Sequence, residues 1–189
     1  MSRNEIVKGA LVGAVAGLVG AYAKAQVEPP LQRLTEHYFP PTPAEKKMTG
    51  ADPIGRQDHM PPAEMVQAAA DATGHHISKQ EKLGAQQVIH YAMGAALGAA
   101  YGALAAANPR VSWGGGVPAG AVMYGLTHAT AVPATGFQAW PWQLPLAAVL
   151  WEAGSHLAFG LATDLTRRGL TAATSEEASS VRGLRARLA

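Results

Sequence analysis

From Leu83 to Thr163 the only formally charged side chains are Arg110 and Glu152. A soluble helix keeps a polar face toward water, and this stretch has hardly any polar face to offer. The region must therefore be buried whole in protein or placed in lipid. Charged residues make up only 15% of the chain, below the roughly 25% of ordinary soluble domains. The mean hydropathy of +0.02 hides the pattern, because the polar segment 28–82 is averaged with apolar ones.

Four apolar segments, 6–23, 88–107, 114–132 and 144–163, are each close to the about 20 residues that cross a hydrocarbon core. The sequence predicts an all-α fold: an integral membrane four-helix bundle with a long extramembrane loop, 24–82, between the first two helices. A soluble bundle of buried Ala-rich helices is the competing fold. Residues 1–170 form a single membrane domain, and 171–189 a polar, disordered tail. Small residues recur at four-residue spacing: Gly9, Gly13 and Gly17 in the first span, Gly94, Gly98 and Gly102 in the second, Gly116 and Gly120 in the third. Lipid tails are as apolar as leucine, so helices in a membrane gain by close backbone approach along such stripes.

Boundaries are marked too. Ser78 and Glu81 fit a capping box, so the second helix begins near Lys79. Asn108-Pro109 stops it, and Pro133 follows the third span. Pro118 falls in the first turns of that span, where a missing N–H costs least. Trp113, Trp140 and Trp142 sit beside predicted interfaces. Within the loop, prolines dominate early and a short helix is expected at 63–72.

The amino end carries Arg3 and Lys8, Arg110 follows the second span, and Arg167, Arg168, Arg182, Arg185 and Arg187 follow the fourth. The positive-inside rule then puts both termini in the cytoplasm of a bacterium, the chain crossing its inner membrane several times. Lys24, Lys79 and Lys82 sit on the outer side and oppose that orientation. The amino end also fits a cleavable signal peptide ending at Ala21-Tyr22-Ala23; the glycine stripe and Lys8 inside the apolar run favour a retained helix. Asp164 with Arg167 and Arg168 forms a boundary pair with snorkelling side chains, and the tail arginines can touch anionic lipid.

Ionisable groups inside a membrane are expensive, and are a functional-site hypothesis by default. On this topology Lys24, Glu28, His90, His128 and Glu152 fall in the outer half of the bilayer, with His156 near its middle. Glu152 and His156 share a helix face at i, i+4. The group could fix helix register by hydrogen bonding. It could respond to protons, since histidine titrates near neutrality. It could also hold zinc or haem, but no HExxH-like spacing supports a metal. His37, His59, His75 and His76 read as solvated loop residues. There is no Walker A loop, G-x-S-x-G elbow or Rossmann fingerprint, so no enzyme activity, catalytic residue or cofactor is expected. The net charge of +2, without a basic face, argues against nucleic acid. The expected partners are the lipid bilayer and either further copies of the chain or a larger membrane complex. With no cysteine, thiol chemistry is excluded.

Four stretches resemble the YagU-like family of small inner-membrane proteins of unknown function. They are KGALVGAVAGLVGA from Lys8 to Ala21; Glu81-Lys82 with HYAMG at 90–94 and AYG at 100–102; GVPAGA at 116–121 with AVPATG at 131–136; and HLAFGLATDL at 156–165 with Arg167-Arg168. The resemblance implies a four-helix integral membrane protein with no assigned activity. The family's pattern places an acidic pair late in the third span, where this chain has Thr127-His128.

Overall fold

A computed structural model describes residues 2–188, with the side chains of 176–188 left out. The described residues contain helices and no strand. Helix α1 spans Arg3–Tyr38, α2 Pro61–Ala72, α3 Lys79–Ala107, α4 Val117–Leu126, α5 Val132–Ala134 and α6 Leu146–Leu188. Helix α1 packs on α3 and α6, and α6 in turn packs on α4. Two helices, α1 and α3, are long and apolar enough to cross a membrane by length and composition.

The other two predicted spans differ from expectation for local reasons. Segment 114–132 is not one α-helix. Its first residues form a 3-10 turn over Pro109–Gly116 in which Gly114, Gly115 and Gly116 take φ of 64°, 66° and 83°, left-handed values that glycine adopts without strain. Helix α4 then starts at Val117 with Pro118 at its N-terminus and gives way to a π-turn over Thr127–Ala131. Pro133 lacks the N–H that would bond to Ala129, and its ring crowds that carbonyl. The wider turn relieves both problems. Thr127 Oγ1 donates to Met123 O at 2.7 Å and Thr130 Oγ1 to Gly125 O at 2.8 Å, occupying carbonyls near the break. Helix α6 places Glu152, Ser155 and His156 inside its apolar stretch. It also runs to Leu188 across the segment where the sequence predicts a disordered tail, and no proline interrupts it. The side chains of Arg182, Arg185 and Arg187 lie outside those described.

The loop 24–82 is shorter than expected, because α1 does not stop near Lys24. It continues through Pro29 and Pro30 to Tyr38, giving up two backbone hydrogen bonds. Tertiary contacts hold its second half. Buried Gln32 donates to Asp52 Oδ1 at 2.7 Å and accepts from Ile54 N at 3.1 Å. Leu31 packs on a cluster of Ala51, Met60, Ala148 and Trp151. Segment 39–60 thus folds back over the end of the bundle. Helix α2 begins with Pro61-Pro62 and lies on α3. Lys79 binds Asp58 at 3.2 Å, and that hydrogen bond holds the Asp58 carboxyl below its usual range. The Ser78–Glu81 capping box is formed. Asn108 caps the far end of α3.

Two seams of small residues close the bundle. Gly9, Gly13 and Gly17 on α1 face Gly102, Gly98 and Gly94 on α3. A Cβ at Gly13, Gly17, Gly98 or Gly102 would overlap backbone atoms of the opposing helix. Gly116 and Gly120 meet α6 at Gly160 and His156 in the same manner, so Gly160 is a packing position that the stripes in the sequence do not include. Large apolar side chains point outward instead: Leu11, Val15, Leu18, Val88, Val122, Leu157 and Leu165 are all exposed.

Candidate functional site: a buried carboxylate hub

Glu152 is 6% exposed and sits where α1, the π-turn and α6 converge. Lys24 Nζ lies 3.0 Å from its Oε1, His156 Nδ1 3.3 Å and His128 Nε2 3.5 Å. Lys24 also pairs with Glu28, one helical turn along α1. One ammonium therefore serves two carboxylates. With both imidazoles neutral, the five groups carry one negative charge in excess. None of the three nitrogens around Oε1 has the alignment of a full hydrogen bond.

The sequence places each group by simple rules. Glu152 and His156 share a face of α6, as do Lys24 and Glu28 on α1. His128 arrives through the π-turn, a distortion that α-helices frequently carry at functional sites. Its Nδ1 is 3.0 Å from Gln138 Oε1, while Gln138 Nε2 donates to His128 O at 3.4 Å. That amide orientation assigns the proton of a neutral ring to Nδ1. The bare lone pair of Nε2 then faces the Glu152 carboxylate. His156 Nδ1 donates to Glu152 O at 2.9 Å, and Ser155 Oγ donates to the same carbonyl at 2.9 Å. The rings of His128 and His156 touch edge to face, with centroids 5.1 Å apart, and Tyr124 stands against His156 at 5.7 Å.

His90 lines the same region, but its Nε2 donates to Ala21 O at 3.1 Å rather than reaching Glu152. A cavity of about 270 Å³ opens between α3 and the π-turn, bounded by His90, His128, Met93, Val132 and Phe159. A smaller cavity of about 100 Å³ touches Lys24, Glu28 and Glu152 from the side of α2. The hub is thus reachable from an apolar and a polar direction.

Of the six ionisable residues singled out in the sequence, Lys24, Glu28, His128, Glu152 and His156 form one contact network, and His90 stands beside it. Gln138 and Tyr124 belong to the site as well. Gln138 lies in an irregular segment with no periodicity to mark it, so nothing in the sequence singles it out. The loop histidines stay apart from the hub. His59 pairs with Glu64 at 2.7 Å beneath α2.

His128, Glu152 and His156 each offer a ligand atom, all within 4.8 Å of one another. Their donor chemistry would suit zinc, yet the Lys24 ammonium already occupies the cationic position at Glu152, and His156 Nδ1 is committed to a carbonyl. Haem does not fit: the edge contact between the two imidazoles leaves no slot for a porphyrin.

A second buried carboxylate lies further along α6. Asp164 is 0% exposed and takes Arg167 Nη2 at 2.7 Å and Arg168 Nε at 2.7 Å. The two guanidinium groups also donate to Ser112, Arg167 Nη2 to its hydroxyl at 2.8 Å and Arg168 Nη2 to its carbonyl at 2.7 Å. Arg167 lies over the Tyr101 ring at 5.8 Å. This latch ties the turn after α3 to α6.

A family model described as "Protein of unknown function (DUF1440)" matches residues 32–165. No curated protein matches the chain, and no solved structure does.

Proposed function

The chain belongs to the DUF1440 family of proteins of unknown function, which includes the YagU-like proteins, and from that premise we propose that it is a multi-pass membrane protein whose bundle encloses a proton- or small-cation-responsive site centred on Glu152. The observation that carries this reading is the charge imbalance at the hub. Lys24 is shared between Glu28 and Glu152, and His128 presents Nε2 to the remaining negative charge. One proton on Nε2 turns a lone-pair contact into a charge-assisted hydrogen bond and brings the hub to neutrality. A small monovalent cation in its place would do the same.

The groups that face Glu152 come from every neighbouring element: Lys24 and Glu28 from α1, His128 from the π-turn, Tyr124 from α4 and His156 from α6. His90 of α3 stands across the cavity. Supporting the membrane setting are two helices of spanning length and an inverted surface: leucines and valines outside, charged groups within. Exposed apolar area of this kind marks membrane or protein contact. We place the chain in the bacterial inner membrane with four spans and both termini cytoplasmic, as a homo-oligomer or as an accessory subunit of a larger membrane complex, without enzyme activity.

Two measurements test this. Single cysteines at the exposed positions Ser2, His75, Arg110 and Ala173, probed in intact cells, should label only at His75; recovery of the protein in the soluble fraction overturns the membrane reading. For the site, intrinsic fluorescence of the purified protein, with Trp151 buried one residue before Glu152, should change on acidification. The change should vanish in His128→Ala and Glu152→Gln. A response retained in both variants refutes the site. The trio of possible ligand atoms supports a metal-binding reading second, and visible d–d bands on adding cobalt(II) would move the assignment there.

A further inference from the structure

At the end of the bundle opposite Glu152, a cavity of about 570 Å³ opens between α1, α3 and α6. Its floor is apolar and small, formed by Gly9, Val12 and Ala105 beside the first glycine seam. Its rim carries Lys8, Arg167 and Arg168. Glu5 also lines it, but that carboxylate is engaged by Ser2 N at 2.7 Å in the capping box of α1. We infer that this cavity is a binding site for an anionic phospholipid, with the phosphate at the arginine rim and one acyl chain along the Gly9–Ala105 floor. The inference rests on the membrane reading above and concerns a site separate from the Glu152 hub.

The two guanidinium groups are oriented before any ligand arrives. Asp164 and Ser112 bond Nε and Nη2 of Arg167, and Ser112 bonds Nη2 of Arg168. Arg168 Nε pairs with Asp164 Oδ2 at 2.7 Å without the alignment of a full hydrogen bond. A guanidinium has five N–H donors. Each arginine therefore keeps Nη1, with its two N–H groups, unengaged among the described residues. Preorganised arginine donors match phosphate oxygens, and little side-chain ordering remains to be done on binding. Lys8 forms no ion pair among the described residues and stands at the same rim. Among the described residues, Glu5 and Asp164 stand against Lys8, Arg167 and Arg168, which leaves one positive charge in excess. Basic pockets between spans on the cytoplasmic side suit anionic head groups, and exposed Trp113 stands at the same end, where interfacial tryptophans are enriched. A soluble phosphate would satisfy the rim alone. The apolar floor argues for the lipid.

The test is thermal unfolding of the full chain in a neutral detergent with added phosphatidylglycerol, phosphatidylcholine or inorganic phosphate. Phosphatidylglycerol at saturation should raise the midpoint by about 5 °C or more, and the other two by little. Lys8→Gln keeps every contact of the latch and should at least halve the shift. Lys8→Gln with Arg168→Gln should remove it. A triple change of Arg182, Arg185 and Arg187 to Gln should leave it. Equal shifts with phosphatidylcholine overturn the proposal, since the rim would then select nothing. Equal shifts with inorganic phosphate overturn it in favour of a free-anion site. Loss of the shift in the tail variant, with Lys8→Gln unaffected, assigns lipid contact to the tail instead. A soluble, lipid-independent protein defeats the membrane reading itself, whereas a membrane-resident chain without phosphatidylglycerol selectivity defeats only this site.

Discussion

Two carboxylates are buried on α6 about three turns apart, and they are neutralised in different ways. Asp164 is held by two arginines, which Ser112 in turn anchors, cations that do not lose their protons in proteins. Glu152 is held by a lysine that it shares with Glu28, and by two imidazoles. The first arrangement is fixed in charge at every physiological pH. The second is one positive charge short and has a proton acceptor aimed at the deficit. Burial alone therefore does not mark a functional carboxylate. The chemistry of its partners decides whether the site is a clamp or a switch.

The sharpest challenge to that contrast is to neutralise each acid. Asp164→Asn leaves two guanidinium groups packed around an uncharged amide and should destabilise the fold by about 3–5 kcal/mol, as breaking a buried pair does. Glu152→Gln leaves Lys24 paired with Glu28 and should lose only about 1–2 kcal/mol. Unfolding in detergent measures both, and the reverse order would contradict the assignment of clamp and switch.

Next in size is the seam that carries both acids past α4. Gly160→Ala sets a methyl 2.7 Å from Gly120 N and against Gly116 O, and overpacking of this kind loses about 1–3 kcal/mol. Because the seam runs between the hub and the latch, the variant should also weaken the pH response of Glu152. A variant that is destabilised but keeps its full response would separate packing from the site.

A smaller effect is expected at Gln138→Ala. It removes the acceptor that fixes the His128 tautomer and should lose about 1 kcal/mol while broadening the titration. An unchanged titration would show that the ring needs no orienting partner. Smallest is the Asp58–Lys79 contact in the outer layer. Its carboxyl is held below the ordinary range by the Lys79 hydrogen bond. Its contribution is therefore complete above the unfolded value and is lost as pH falls through the lowered one. Asp58→Asn should flatten that acid limb slightly and leave the response of the hub intact.

The sequence discloses these features unequally. Helix starts and stops with dedicated side chains are legible, such as the Ser78–Glu81 box and Asn108-Pro109. So are neighbours on one helix face, Lys24 with Glu28 and Glu152 with His156. Pro29-Pro30 misleads, because the burial of Gln32 and Leu31 outweighs two missing backbone bonds, and burial of that kind comes from tertiary partners. Gly114–Gly116 misleads in the opposite sense: a glycine run compatible with a span becomes a left-handed turn. The π-turn that delivers His128 follows from Pro133, yet only the folded chain shows that the strain is relieved by widening and not by ending the helix. Spacing therefore pairs Lys24 with Glu28 and Glu152 with His156, His128 joins them only through its depth on the expected topology, and Gln138 is reached by neither.

The most direct test of the contrast is pH-difference infrared spectroscopy of the purified full chain in lipid, comparing the native protein with His128→Gln and Asp164→Glu. The account predicts an imidazole band that changes on acidification, with a shift of the ionised carboxylate band beside it as the new hydrogen bond forms, and both changes disappear in His128→Gln. In Asp164→Glu they should remain unchanged. Bands that persist in His128→Gln, or that shift in Asp164→Glu, would contradict it.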